Sequence, residues 1–505
     1  MAQTPRILLR NAGNYSTSIQ GRIWLVSDSG QDYSGLMNNT DNLPHGLDPK
    51  GLQRARLARD PRFDGAFFLG VKTTGIYCRP ICPARPAAEK NVQYFNLASQ
   101  AAAAGFRPCL RCRPECAPGS PAWQGTSTTV KRALDLIDSG ALNTASVPQL
   151  AGRLGVGERY LRKLFQQELG VSPQAVALNR RLLFAKKLLA ETDMPLTQVA
   201  FAAGFGSVRR FNSAVLEHFR LTPGQMRGRP LPASGGGIRL LLHYRPPYDW
   251  DGVVAFLAHH AVSGIEKVTP ERYRRTISCN GEPGTVEVSP CPGQNALQLT
   301  LNTADPGQLM PAVARVRRMF DLDANPTQIN RHLQTDSILG ALAAVSPGAR
   351  SPGHWSLYEA AVRAIVGQQV STVAARTVLS RLANACSDAQ SPVFPSAEGI
   401  AALPDDAFPM PTRRRDTLRT VCAAYSGREQ ELDLQELAGF KGIGPWTVAM
   451  AAIRGAGSPD TFPAGDLGLQ KAWLRHGGSK EQLQVTSEQW RPWRSYAANL
   501  LWRSL

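Results

Sequence analysis

No run of about 18 or more apolar residues occurs in the chain, so a membrane-spanning helix is excluded. Met1 to Arg10 hold no apolar core of the length a secretory signal needs, and a cytosolic protein is expected. Acidic residues are short relative to basic ones, 39 against 57, for a formal net charge of +18. A basic excess of this size favours a polyanionic partner: nucleic acid first, an anionic membrane surface second. A disulfide framework is also missing. The nine cysteines are an odd count, and five of them (Cys78, Cys82, Cys109, Cys112, Cys116) fall within 39 residues. Without an export signal, that clustering reads as metal ligation or reactive thiol chemistry.

A chain of 505 residues is too long for one core, and three or four domains are expected. Residues 1–48 are polar, without periodicity, and read as a flexible leader. A cysteine-rich segment at 50–118 ends in a Pro/Gly/Ser linker from Ala117 to Pro121. The pattern at 127–228 is helical. There, Leu178, Leu182, Ala185 and Leu189 form one stripe of a long helix whose other face carries Arg180, Arg181, Lys186 and Lys187. A second linker covers Pro230 to Gly237. Alternating stretches at Ile238–Tyr244, Thr285–Ser289 and Ala296–Leu301 place a small sheet in 238–305. From 308 to 505 the pattern is helical again.

Cys78 and Cys82, then Cys109 and Cys112, are two short-spaced pairs able to supply four thiolates to one tetrahedral Zn²⁺. Cys116 is a spare. Spacing alone leaves a purely structural zinc knuckle open. The flanking residues, Thr73 to Cys82 and Ala104 to Cys112 with Phe63-Asp64-Gly65 upstream, resemble the amino-terminal domain of Ada-type adaptive-response proteins. The resemblance implies that Cys78 accepts a methyl group, irreversibly, from a DNA methylphosphotriester. Zinc ligation would hold that sulfur as a thiolate. Methylation would remove about one negative charge, so affinity for DNA should rise.

Leu150-Ala151 followed by Gly155-Val156-Gly157 returns 49 residues later as Val199-Ala200 followed by Gly204-Phe205-Gly206. Each copy has the helix, glycine turn and second helix of a helix-turn-helix. The second helices, Glu158 to Glu168 and Ser207 to His218, offer Arg159, Arg162, Arg209 and Arg210 to DNA. Phe219 to Arg227 closes the segment in a way that resembles the AraC-type regulator domain.

In the last third, Gly442 and Gly444 permit a tight hairpin and Pro445 suits the first turn of the next helix. Bare N–H groups at such a turn hold phosphates. Asp466 follows about twenty residues on, and as a lone residue it is either a helix cap or a functional carboxylate. The combination resembles the helix-hairpin-helix-Gly/Pro-Asp DNA glycosylases. Pro246 to Trp250, Met319 to Leu322, Arg363 to Ser371 and Trp493 to Ala497 narrow the likeness to 3-methyladenine DNA glycosylase II. That family flips a base and hydrolyses its glycosidic bond. The likeness implies Asp466 as the essential carboxylate and Trp446, Trp502 and Phe256 around the base, where π faces would attract a cationic lesion. It implies Gln369 as the wedge, although relatives often carry leucine there. Met450 and Leu467 stand where the best-known relatives have tyrosine.

The lyase lysine of the superfamily is replaced by Trp446, so base removal without strand cutting is expected. No carboxy-terminal cysteine cluster occurs, and no iron–sulfur cluster is expected. A Pro-Cys-His-Arg motif is missing, so guanine O6 repair is not implied.

The expected architecture is thus multidomain and mainly α with α+β parts: a small four-cysteine zinc domain, an AraC-type double helix-turn-helix, a small β-domain and a helical glycosylase domain. The expected activity is alkylation-damage sensing with transcription activation, joined to excision of 3-methyladenine-type bases. The expected partners are double-stranded DNA, alkylated and promoter, and RNA polymerase, with the protein a monomer at the bacterial nucleoid and no membrane involved. Two other readings stay open: zinc and helix-turn-helix parts that only tether a glycosylase, or a regulator whose glycosylase half is inactive.

Overall fold

The computed structural model describes residues 48–118, 128–227, 237–279, 281–386, 392–427 and 432–505. The predicted leader, apart from Asp48, and most of both predicted linkers lie outside the described residues. No described helix is long and apolar enough to cross a membrane.

The cysteine-rich segment folds as a four-stranded sheet in the order β3-β1-β2-β4. Its strands are β1 (Phe68–Val71), β2 (Ile76–Cys78), β3 (Val92–Phe95) and β4 (Arg107–Pro108). β2 and β4 run parallel, with Tyr77 opposite Pro108. The Cys109 N–H donates to the Tyr77 carbonyl at 2.9 Å, so the first cysteine of each pair leaves the sheet beside the other.

Both helix-turn-helix copies form. Val147–Arg153 precedes Glu158–Leu169, and Leu196–Ala202 precedes Val208–Phe219. Gly155 at φ +70° and Gly204 at φ +79° make the turns, in a backbone region that glycine enters without steric cost. The connecting helix, Pro173–Glu191, starts at Ser172, whose hydroxyl caps the Ala175 N–H. The two copies belong to different cores. Leu150, Leu161 and Phe165 pack with Val130 and Ile137. Val199, Phe211 and Val215 instead share one apolar cluster with Leu240, Val286 and Leu299 of the next sheet.

That sheet has the order β5-β9-β8-β7-β6, from β5 (Ile238–His243), β6 (Glu266–Thr269), β7 (Arg272–Cys279), β8 (Glu282–Pro290) and β9 (Ala296–Asn302). Sequence patterning locates three of the five. β7 is hidden because its inward row is Tyr273, Arg275, Ile277 and Cys279, and a charge in that row breaks the apolar alternation. Arg275 is 1% exposed, held by Glu359 at 2.9 Å.

The connecting helix also departs from its sequence reading. Lys186 and Lys187, assigned to the polar face, are buried, as is Glu191. Lys186 Nζ pairs with Glu115 and donates to the Cys109 carbonyl at 3.2 Å. Lys187 pairs with Glu191 at 3.0 Å and donates to the Leu241 carbonyl. Glu191 accepts from the Leu241 N–H at 3.0 Å and from Arg113 at 2.9 Å. Charged and carbonyl partners from the loop of the cysteine-rich segment and from β5 enclose the carboxy-terminal end of this polar face, while Arg180 and Arg181 stay half-buried, which a pattern within one helix does not reveal.

Removing one partner of a buried ion pair strands the others away from water, at about 3–5 kcal/mol. Glu191→Gln is therefore expected to lower stability by about 3 kcal/mol in chemical denaturation. Glu158→Gln, which breaks an exposed pair with Arg162, should cost under about 1 kcal/mol.

Candidate functional site

Two sites emerge, a sulfur cluster and an oriented carboxylate. The Sγ atoms of Cys78, Cys82, Cys109 and Cys112 all lie within 4.8 Å of one another. A Zn–S bond of about 2.3 Å places tetrahedral sulfurs about 3.8 Å apart, so the donor set fits Zn²⁺. Unaided, the cluster is in conflict: hydrogen bonds among the sulfurs push Cys78 and Cys112 up and Cys109 down. One cation accepting all four thiolates removes that conflict. The second ring of contacts is also in place. The Arg79 N–H donates to Cys112 Sγ at 3.3 Å, its guanidinium pairs with buried Asp64, and Nη1 reaches the Cys112 carbonyl at 2.9 Å. Cys78 is 8% exposed, and Cys82 is the least buried of the four. The side chain of Cys116 lies outside the described residues.

The DNA-facing side chains proposed from the helix repeat sit on exposed faces. Arg159, Arg162, Arg209 and Arg210 are all exposed. Arg162 is occupied by Glu158 at 2.6 Å and by Gln174. Ser207 serves as a helix cap, accepting from the Arg210 N–H at 3.3 Å.

In the last third, helix Leu434–Ala438 ends at Gly439 and helix Pro445–Arg454 begins after Gly444. The two hairpin glycines differ in kind. Gly442 has φ +89°, and a Cβ there would lie 2.2 Å from Thr417 Oγ1. Gly444 is extended and faces open space, so the turn itself does not demand it. Its bareness leaves room for another backbone beside the unpaired N–H groups of the first helical turn. Gln369 is exposed and left-handed at φ +55°. Its neighbour Gln368 ties this corner to the hairpin through the Gly442 carbonyl at 3.1 Å and Thr447 Oγ1 at 2.9 Å.

Asp466 is both a cap and more than a cap. Oδ1 accepts from the Leu469 N–H at 2.9 Å at the start of helix Leu467–Arg475. The same oxygen accepts from Trp502 Nε1 at 2.9 Å, and Oδ2 accepts from Trp446 Nε1 at 2.8 Å. The two indoles placed by resemblance around a base therefore also aim the carboxylate.

Phe256 sits on helix Trp250–His260, capped by Asp249, which also pairs with Arg503 next to Trp502. Its ring meets His260 at 4.2 Å between centroids and the Arg454 guanidinium at 4.3 Å. Sequence reasoning missed Arg454, because a basic residue at a helix end reads as an ordinary cap. Leu467 is 70% exposed beside Asp466, and Met450 is half-buried.

Burial pushes the His260 imidazole down to about 3. A base whose folded value is depressed binds fewer protons folded than unfolded, so stability falls as pH drops below about 6.5. At pH 5 the loss from this group should be about 2 kcal/mol. Denaturation at pH 5 and pH 7.5 should show a smaller acid loss in His260→Gln than in the parent; an unchanged loss would refute the assignment.

Three families match the chain in separate stretches: the metal binding domain of Ada at residues 52–115, a helix-turn-helix domain at 150–229 and the AlkA N-terminal domain at 239–356. A probable bifunctional transcriptional activator/DNA repair enzyme AlkA of Mycobacterium tuberculosis is 40% identical over 475 residues, covering 90% of this chain and 95% of the relative. DNA-3-methyladenine glycosylase 2 of Escherichia coli is 31% identical, covering 52% of this chain and 95% of the relative. The bifunctional transcriptional activator/DNA repair enzyme Ada of Escherichia coli is 35% identical, over 37% of this chain and 49% of the relative. Forty per cent identical over nearly its whole length to that Mycobacterium tuberculosis relative, and carrying the four-cysteine cluster and paired helix-turn-helix in one chain, the protein belongs to the family of bifunctional transcriptional activator/DNA repair enzymes AlkA.

Proposed function

We propose that this chain removes alkylated bases from DNA by hydrolysis at Asp466. We also propose that it takes a methyl group from DNA methylphosphotriesters onto Cys78 and activates transcription as a result. The observation that carries the reading is the geometry of Asp466, a half-buried carboxylate aimed by three N–H donors next to a hairpin with open backbone.

A carboxylate has about four acceptor positions. Oδ1 uses two, on Leu469 and Trp502, while Oδ2 uses one, on Trp446. The remaining lone pair on Oδ2 is the one available to a water or to the sugar. With DNA phosphates on the N–H groups around Gly444 and Gln369 in the gap left by a flipped nucleotide, the lesion enters beside Phe256 and Trp502. The bond from C1′ to the base nitrogen breaks and its electron pair stays with the base, so a cationic alkylated purine leaves uncharged. Asp466 stabilises the positive charge on the sugar and accepts a proton from the water that adds to C1′. Trp446 supplies no amine nucleophile, so strand cleavage does not follow.

At the other site, Cys78, Cys82, Cys109 and Cys112 would hold Zn²⁺, which keeps the sulfurs ionised at neutral pH. A Cys78 sulfur lone pair forms the S–CH₃ bond, the O–CH₃ bond breaks, and the phosphate oxygen keeps the pair as an ordinary phosphodiester. The cluster loses one negative charge, and repulsion from neighbouring phosphates weakens. Arg159, Arg162, Arg209 and Arg210 then hold promoter DNA in successive major grooves about 34 Å apart. RNA polymerase would be the downstream partner, with the protein acting as a monomer.

Asp466→Asn should slow release of 3-methyladenine from methylated duplex by at least about a hundredfold while damaged-DNA binding persists; unchanged release would remove Asp466 from the mechanism. Incubation with methylated DNA followed by mass spectrometry should find one added methyl on Cys78 and none in Cys78→Ala. An adduct on Cys82, the more open sulfur, would reassign the acceptor, and no adduct would reduce the zinc segment to a DNA tether.

A further inference from the structure

Arg454 ends the helix that begins at the hairpin, and its side chain turns in beneath the base pocket. It is 5% exposed. Its guanidinium carbon lies 4.3 Å from the centre of the Phe256 ring and 4.9 Å from that of Trp502. Nη1 donates to the Pro352 carbonyl at 2.7 Å, and both Nη atoms reach Asn499 Oδ1, at 3.4 and 3.3 Å. Nε–H has no hydrogen-bond partner among the described residues. Neutral acceptors hold the group, so its charge is balanced by no direct ion pair among the described residues. Burial lowers its pKa to about 9, with Asp466 the opposing influence, so it stays charged at neutral pH. The imidazoles beside the Phe256 ring, His260 and His354, are kept uncharged by burial.

We infer that Arg454 determines base specificity in this pocket, its fixed charge on the Phe256 and Trp502 rings raising kcat/KM for uncharged bases over cationic ones. This rests on the proposed reading of those rings as the base pocket. A π face attracts a cation through the ring quadrupole, but here a resident cation already occupies both rings. A cationic base stacked on the opposite face meets a like charge across the ring, and the attraction expected from sequence is largely spent. An uncharged base has the reverse need. As its C1′–N bond breaks, the electron pair leaves it as an anion until it gains a proton, while the water oxygen bonds to C1′. That anion lies about 8 Å from the guanidinium carbon, taking one ring contact of 4.3 Å and a stacking distance of about 3.5 Å. At an effective dielectric near 20, a charge at that distance changes kcat/KM for an uncharged base by roughly tenfold to thirtyfold, whereas a cationic base, repelled when bound and uncharged on leaving, gains nothing on that scale.

The test uses the full chain on duplexes carrying a single 7-methylguanine, which is cationic, or a single hypoxanthine, which is not. Measured as kcat/KM, Arg454→Met should slow hypoxanthine release at least about tenfold and leave 7-methylguanine release within about threefold of the parent, or faster. Arg454→Lys, which keeps the charge, should return the ratio of the two rates toward the parent value. Equal losses on both bases in Arg454→Met, a Lys variant no better than Met on hypoxanthine, or a parent that releases 7-methylguanine alone would each overturn the inference. Should Arg454→Met not fold, the Lys variant alone decides, because a collapsed ratio with charge retained excludes charge as the determinant. A parent that releases neither base fails at the earlier step, the reading of the pocket itself.

Discussion

Lys186, Lys187 and Glu191 lie within two turns at the end of one helix, and together they reach the loop after the last cysteine of the four-sulfur cluster and the first strand of the five-stranded sheet. Charges removed from water cost several kcal/mol each unless their partners are exact in place. Such a cluster is satisfied in one arrangement only. It holds the sulfur cluster, the helix-turn-helix pair and the sheet in one body, and the apolar core shared by Val199, Phe211, Leu240 and Val286 reinforces the join. Lys186 even bonds the carbonyl of Cys109, a proposed metal ligand.

The same economy governs Asp466. A helix start needs an acceptor for its unpaired N–H groups, and a hydrolytic site needs a carboxylate whose direction does not wander. Under the proposed function one side chain would meet both needs, because each oxygen has its own donors, Leu469 and Trp502 on one and Trp446 on the other. Spacing leaves cap and functional carboxylate as alternatives, but the cap contact occupies only part of one oxygen and so does not exclude the proposed hydrolytic role.

The basic excess divides into two populations. Arg159, Arg209 and Arg210 are exposed and available to a polyanion. Arg245, Arg275, Arg350, Arg363 and Arg454 are buried, bonded to carbonyls or carboxylates. Net charge therefore overstates the field at the surface, and part of it is internal scaffolding. Arginine suits that work because its planar fork spreads several donors over fixed acceptors.

Local chemistry was legible in the residues themselves. The paired cysteine spacing, the repeat 49 residues apart and the hairpin glycines with Asp466 downstream each express a constraint that acts over a few residues or through a fixed backbone geometry. The helix periodicity and three of the five strands of the second sheet follow in the same way. What the sequence could not decide is which polar groups face inward, because burial is set by neighbours far along the chain, 45 positions away for Arg454 and Asn499 and 84 for Arg275 and Glu359. Arg275 hid β7 by sitting in its inward row opposite Glu359. Lys186 and Lys187 passed as a solvated face until the zinc loop and Leu241 closed over them. Arg454 passed as a helix-end cation until Phe256, Pro352 and the helix that carries Asn499 and Trp502 converged on it from three other segments. Only the tertiary fold brings such partners within bonding distance, and only there does a charge become part of a site.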